Sequence, residues 1–332
     1  MRLWFNRGYS LASIASAMMA GNPDLEVFIS TGEGLPQREG AARSWIEPNL
    51  HDDEYLAWVE RQITDHKIDI FVPTRRRGLI AGASLPCEVV FPASIDILDI
   101  LADKHAFAAA LMNEPFFLPT FSAACADDMQ DALEAFQSCH GPDAVACVKP
   151  RYGVNGHGFW ALDAVSPTAH IIDPERRSIS PEMFIAAMRA EERASDSVRP
   201  FVLMEFLPGP EVSFDVLAHK CTVLRSIART KLESSQLLQS SHPLESAVQS
   251  LVARFGLSGL INVQFRQAVD GSWKALEINA RPAGGSIYAE QFGGRLIADW
   301  GGLLTGRITP DQVDRTPLDI EIAFENNLSL VG

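Results

Sequence analysis

Basic charge is scarce in this chain: 28 Lys and Arg stand against 42 Asp and Glu, a net charge of -14. Nonspecific binding to nucleic acid or to an anionic membrane needs basic surface to replace counterions, so neither is expected as a partner. Cysteines are few. Cys87, Cys125, Cys139, Cys147 and Cys221 are odd in number and widely spread, with no C-x-x-C pair, which speaks against a disulfide framework or a structural zinc site and for thiols in a reducing compartment. No run approaches the roughly 18 apolar residues of a membrane span. Arg2 and Arg7 precede Leu11 to Ala20 in a faint likeness of a signal peptide, but Asn6 to Ser10 interrupt the apolar run and Ser13 and Ser16 dilute it. A strand, a loop and a helix fit better, and a cytoplasmic, soluble protein is expected. Several catalytic signatures are missing too: no G-x-x-x-x-G-K-[ST], no G-x-G-x-x-G in the first strand-to-helix turn, no H-E-x-x-H and no G-x-S-x-G. Cys139 beside His140, and His219 near Cys221, lack a third ligand or an orienting partner.

What is present is a chain of 332 residues, 47% hydrophobic and 21% charged, enough for two or three globular domains. The first hundred residues alternate: strand 2–6, helix 10–20, strand 25–30, helix 53–65, strand 68–73 and a short strand 88–91. That alternation predicts a parallel sheet. Ligands bind beyond the carboxyl ends of such strands, so residues 6–10, 31–34 and 74–78 are candidate ligand loops. The run Arg75, Arg76, Arg77 suits an anionic substrate, with solvated loop charge as the other account of at least one of them.

Further on, helical pattern covers 94–112, 127–138, 181–194, 244–255 and, as one closing helix, 287–304. Strands are expected at 118–122, 144–149, 159–162, twice within 200–218, at 222–228 and near 320–324. The Ser- and Gln-rich stretch 230–242 has few anchors and is expected to be mobile. The expected division is an N-terminal domain at 1–93, a linker helix and smaller lobe at 94–199, a larger lobe at 200–310 and a tail at 311–332.

The most informative segment is a pair of alternating strands around Asp270 and Gly271, a hairpin signal. A two-residue loop would put Gln264 opposite Glu277 and Asn262 opposite Asn279, all on one face, with Ile261, Val263, Phe265, Leu276 and Ile278 on the other. A carboxylate and amide oxygens in one patch suit magnesium, which shares oxygen ligands with nucleotide phosphates. Arg281 keeps that face and would place a guanidinium fork beside the metal. The plainer account is a hairpin with one wet side. Lys149 ends a strand and opens a loop with Gly153, Gly156 and Gly158, whose N–H groups can turn toward phosphate, or which is simply a glycine-rich turn. Glu205, Phe206 and Leu207 precede a Pro-Gly-Pro turn, where free backbone groups suit an adenine edge. Glu211, Ser213 and Asp215 share a face, and Arg229 and Lys231 are either phosphate contacts or basic surface.

In order, Asp103-Lys104, the Lys149 glycine loop, Glu205-Phe206-Leu207 with Glu211, Asn262-Val-Gln264 and Glu277-Ile-Asn279-Ala-Arg281 resemble the ATP-grasp superfamily, closest to its carbamoyl-phosphate-synthetase-like branch of carboxylate–amine ligases. The resemblance runs from about Ser94 to Gly306. It implies an α/β and α+β multidomain fold, with an N-terminal parallel-sheet domain before a two-lobed ATP-grasp fold. It also implies that Lys104 and Lys149 contact ATP phosphates, that residues 205–207 bracket adenine, that Glu211 reaches the ribose, and that Glu277 and Asn279 hold Mg2+. Gln264 stands where many members have a carboxylate. Arg281 would steady the transferred phosphoryl group and the acyl phosphate. The implied reaction activates a small-molecule carboxylate with ATP for attack by an amine. A phosphotransferase on the same scaffold, or a non-catalytic nucleotide-binding regulator, are the other readings. A homodimer is left open.

Overall fold

The computed structural model describes residues 1–7, 11–34, 40–153, 156–195 and 198–323. Of the expected features, residues 8–10 of the first ligand loop, Val154 and Asn155 of the glycine loop, and the tail from Phe324 onward lie outside the described residues.

The alternating N-terminal pattern folds as β1 (Arg2–Phe5), α1 (Leu11–Gly21), β2 (Glu26–Gly32), β3 (Arg43–Glu47), α2 (Asp52–His66), β4 (Ile70–Val72), α3 (Arg77–Ala81) and β5 (Glu88–Val89). These five strands form one sheet in the order β3-β2-β1-β4-β5, and each pairing is parallel. Only β3 was not legible beforehand, because its sequence RSWIE mixes charge and apolar residues without clean alternation. Central strands of such a sheet are covered on both faces, and β1 accordingly buries Leu3, Trp4 and Phe5.

Two short helices follow, α4 (Ile95–Ala102) and α5 (Lys104–Ala110). Next come β6 (Thr120–Ala123), α6 (Ala126–His140), β7 (Ala146–Pro150), β8 (Trp160–Leu162), α7 (Ala169–Ile172), β9 (Ser178–Ile179), α8 (Pro181–Ala194) and β10 (Phe201–Glu205). Their sheet has the order β6-β10-β7-β8-β9. Helix α8 starts where the residues say it should: Ser180 caps it by accepting from Met183 N–H at 3.3 Å, and Pro181 occupies the first turn.

The remainder holds β11 (Glu211–His219), β12 (Thr222–Lys231), β13 (Ser235–Gln239), α9 (Glu245–Arg254), β14 (Gly259–Gln267), β15 (Trp273–Asn279), α10 (Ser286–Gln291), α11 (Leu296–Leu304) and β16 (Asp319–Ala323). The third sheet runs β15-β14-β11-β12-β13-β16. Two expectations are corrected here. The stretch 230–242 is not a loose loop, since β13 pairs with β12 on one side and β16 on the other and buries Leu238 completely. Strand formation there depends in part on β16, a partner about 80 residues further on, which propensity does not register. The closing helix is two helices. Gly293 takes a left-handed φ of +87°, and the Glu290 carboxylate accepts from Ile297 N–H at 2.9 Å and Ala298 N–H at 3.0 Å, capping α11 from the end of α10.

The chain forms two compact units: residues 1–98, 212–263 and 278–332 in the first, residues 99–211 and 264–277 in the second. That differs from the linear division expected from sequence, because β14 and β15 each begin in one unit and end in the other. In the first unit α1 and α11 pack closely at Gly21 against Ala298, and Asn22 Nδ2 donates to Ala298 O at 2.8 Å. Among the described residues no helix is long and apolar enough to cross a membrane.

Candidate functional site

In the second unit, β7 lies antiparallel to β10, with Lys149 opposite Val202 and Ala146 opposite Glu205. Residues of alternate parity on these strands share a face, so Cys147, Val202 and Met204 bury together with Leu118, Leu207 and Ala268, while Phe159, Phe206 and Leu276 close the cluster half-exposed. Phe206 N–H donates to Val145 O at 2.9 Å, which continues the ladder past Glu205 and fixes the segment 205–207. Lys149 Nζ stands 5.7 Å from the Phe159 ring centroid, and the Phe159 and Phe206 rings are 6.3 Å apart. The result is an apolar shelf with an ammonium at its rim. Glu211, first residue of β11, has its carboxylate 3.7 Å from Arg266.

Lys104 joins this group. Its Nζ donates to Gly153 O at 2.8 Å and lies 4.0 Å from the Glu277 carboxylate. Burial lowers its pKa below the usual lysine value; Glu277 opposes the shift and the charge of Lys149 adds to it. Asp103, just before it, was named in the sequence motif without a role of its own. Its side chain caps α5 by accepting from His105 N–H at 3.0 Å and Ala106 N–H at 3.2 Å, and it takes a forked contact from Arg151, with Nη2 at 2.6 Å, plus the Tyr152 hydroxyl at 3.0 Å. Asp103 thereby ties the start of the glycine loop to the helix that carries Lys104. An Asp before a helical run is a readable capping signal, but an arginine 48 residues away is not.

Burial alone would raise the Asp103 pKa, but the Arg151 hydrogen bonds, the Ala106 N–H and Tyr152 outweigh it and bring it down to about 2. A carboxyl depressed in the folded state contributes stability above its ordinary titration range, and that contribution is lost as pH falls toward the folded value. Replacing Arg151 with methionine is therefore expected to lower Tm at pH 7, with the gap to the wild type closing between about pH 4 and about pH 2. Tm measured for both proteins across that range checks it; a gap indifferent to pH would refute the ion pair's role.

In the first unit, Arg229 is not basic surface. It is buried, with Nε 2.6 Å from Asp215 Oδ2, and Asp215 also accepts from Asn262 Nδ2 at 3.1 Å and Ser286 Oγ at 2.7 Å. A Cβ at Gly285 would strike the Arg229 guanidinium. This hub fixes the turn that follows Arg281, since Ser286 Oγ also accepts from Ala283 N–H at 3.0 Å. Asn262 is fully buried and serves the hub, so it is not one of the open oxygen donors that the sequence placed opposite Asn279. Lys231 is exposed at the end of β12.

The three arginines of the 75–77 run separate. Arg75 is exposed, Arg76 lies over the Tyr55 ring at 4.3 Å, and Arg77 donates to Pro73 O at 2.9 Å and Ala280 O at 2.7 Å. Burial, followed by the nearby charge of Arg281, brings the Arg77 pKa down to about 10. Asn6 binds the candidate loops together: its Oδ1 accepts from Thr74 N–H at 2.6 Å and Arg75 N–H at 3.2 Å. Arg281 is half-buried, and its Nη1 donates to Pro282 O at 3.1 Å.

The hairpin itself closes differently from expectation. Ala268 N–H donates to Ser272 O at 2.8 Å and Gly271 N–H to Ala268 O at 3.0 Å, so the loop has three residues, with Gly271 at a left-handed φ of +81°. The two-residue geometry that set Gln264 directly opposite Glu277 does not apply at the turn. Gln264, Glu277 and Asn279 are all half-buried, and two-residue spacing on β15 gives Glu277 and Asn279 a common face. The Glu277 carboxylate is a hard donor of the kind Mg2+ takes together with phosphate oxygens, and not the kind that zinc or another thiophilic ion prefers. Among the described residues no group of three or more His, Cys, Asp or Glu is placed to hold a metal on its own. Gly153 and Gly156 are exposed; the Gly156 carbonyl accepts from Arg177 Nη1 at 3.0 Å.

Residues 197–323 match the family model described as ATP-grasp in the biosynthetic pathway with Ter operon. The whole chain shares its fold with enzymes of that superfamily. The fold is ATP-grasp. Biotin carboxylase of Campylobacter jejuni, in a β-γ-ATP complex, superposes with a TM-score of 0.63 at 13% identity over 94% of this chain and 72% of that one. The L-amino acid ligase of Bacillus licheniformis gives 0.62 at 12% identity over 96% and 74%. The biotin carboxylase domain of Hydrogenobacter thermophilus 2-oxoglutarate carboxylase, a dimer with MgADP, ADP and bicarbonate, gives 0.60 at 14% over 92% and 69%. No curated protein matches the sequence. At 12–14% identity the likeness is one of architecture.

Proposed function

We propose that this chain is an ATP- and magnesium-dependent ligase that activates a carboxylate as an acyl phosphate and passes the acyl group to an amine, releasing ADP and phosphate. The observation that carries the reading is the convergence of Lys104, Lys149 and Glu277 beside the Phe159–Phe206 shelf. An apolar shelf suits a purine, and two ammonium groups at its edge suit a polyphosphate.

In this reading Lys104 and Lys149 bind the phosphates, Glu205 to Leu207 face the adenine edge, and Glu211 takes the ribose hydroxyls. Glu277, Asn279 and Gln264 would hold Mg2+, which, when bound, neutralises phosphate charge. A substrate carboxylate oxygen attacks the γ-phosphorus, the bond to the β-γ bridging oxygen breaks, and ADP leaves. The amine nitrogen then attacks the acyl carbonyl carbon, phosphate departs, and the nitrogen loses its proton to solvent. Arg281 offers a guanidinium to the transferred group. Such chemistry depends on positioning and charge neutralisation rather than on a strong general base, in keeping with a site made of lysines, one carboxylate and arginine.

Incubation with ATP, Mg2+, pooled acids and hydroxylamine tests this. ADP, phosphate and acyl hydroxamates are expected. ADP with a stable phosphorylated product instead would mark a phosphotransferase, and ATP binding without turnover would mark a regulator.

A further inference from the structure

The first unit contains a cavity of about 270 Å³ that the nucleotide reading leaves unused. Phe5 at the end of β1, and Val72 and Thr74 at the end of β4, form part of its wall. Strand β1 is joined through α1 to β2 on one side and borders β4 on the other, so the winding of the sheet reverses between them. Crevices at the carboxyl ends of strands flanking such a reversal are where open α/β sheets take ligands. The remaining wall is mainly apolar, with Leu11, Val90, Trp300 and Leu304 among its side chains.

Arg77 and Arg281 also line it. Arg77 is held in place by the Pro73 and Ala280 carbonyls, and its protonated form is disfavoured first by burial and then by the charge of Arg281. Two neighbouring guanidinium groups on an apolar wall repel each other, and a bound anion relieves that repulsion. Glu88, His219 and Lys220 are the other titratable residues on the lining. Glu88 and Lys220 are exposed, opposite in sign and solvated, so the anion preference rests on the arginines.

We propose that this cavity is the acid-substrate site and that it selects a monocarboxylic acid with an apolar body, the carboxylate between Arg77 and Arg281 and the aliphatic or aromatic chain among Leu11, Val90, Trp300 and Leu304. The inference rests on the ligase reading and narrows its substrate. A second carboxylate or a hydroxyl-rich body would lose its hydration against the apolar part of this wall, which disfavours dicarboxylic and sugar acids.

The test uses the full chain in two arms. In the first, hexanoate, phenylacetate, acetate, succinate and glutamate are titrated calorimetrically without ATP; in the second, the same acids are compared for ADP and hydroxamate formation. Hexanoate or phenylacetate is expected to exceed succinate by at least about tenfold in kcat/KM, the scale on which a hydrophobic pocket discriminates. Leu304→Trp should cut kcat/KM for hexanoate by about tenfold or more while acetate changes by less than about threefold, and Leu304→Ala should shift preference toward longer acids. Arg77→Met should raise KM for every accepted acid. Opposite shifts from the two Leu304 variants are not an effect that misfolding produces. Turnover confined to succinate or glutamate, or a Leu304→Trp enzyme with unchanged chain-length preference, would overturn the cavity assignment and leave the ligase reading standing. Apolar acids that bind with this selectivity but yield no ADP would overturn the ligase reading and leave the acid site standing.

Discussion

Arg229→Met is expected to destabilise the protein by about 3–5 kcal/mol, measured as a shift in denaturant midpoint at unchanged slope. The reason lies in what remains. Asp215 is wholly buried, and removing the guanidinium at 2.6 Å leaves its carboxylate with only the Asn262 and Ser286 donors among the contacts described above. An uncompensated buried charge costs far more than the pair contributes net, so the loss measures the orphan rather than the bond. Adding Asp215→Asn to Arg229→Met should recover part of the loss, because the amide keeps an oxygen for those donors without the charge. A double variant no more stable than the single one would show that the guanidinium acts mainly through packing against Gly285 and Tyr288.

Glu277→Gln should lower ATP turnover by about 10²- to 10³-fold, the scale on which removing one charged group from a phosphoryl-transfer site is felt. Two effects combine. The sole carboxylate of the oxygen-donor set disappears, and Lys104, 4.0 Å away and already depressed by burial, loses the charge that favours its protonated form. Some stability should be lost as well, because Glu277 is only 23% exposed and its loss leaves the 13%-exposed Lys104 without the facing carboxylate, so turnover is compared at a temperature where both proteins are fully folded. ADP release at saturating acid, alongside a melting curve, separates the effects; a variant with wild-type turnover would remove Glu277 from the site.

The contrast between these residues shows what a sequence can disclose. Lys149, Phe206, Leu207 and Glu277 were singled out because the glycine loop, the Pro-Gly-Pro turn and the alternating hairpin are local patterns, each readable within about ten residues, whereas Lys104 entered only through the resemblance to a known family. Strand β3 was missed because its residues do not alternate cleanly, and strand β13 and the Asp103–Arg151 pair because β16 and Arg151 lie far along the chain from them. The open-donor reading of Asn262 and the surface alternative for Arg229 failed for a related reason: alternation assigns a side chain to a face, but only the packed sheet tells whether that face is wet. Here both faces of β14 near Asn262 are dry, with Leu260 and Ile261 both at 1% exposure or less. The cavity was the least legible feature of all. It draws on β1, β4, α11 and the segment after β15, elements separated by most of the chain.

Strand β16 seals the outer side of β13, and Ser240 and Leu318 stitch the entrance to that pairing with N–H bonds of 2.7 and 2.8 Å. Cutting the polypeptide ahead of Asp319 would strip this cover and bare a row of unsatisfied amides and carbonyls flanked by Leu237 and Leu238. Such a rim is a template for adding foreign strands, so β16 acts as a guard against self-association as much as a contributor to the sheet.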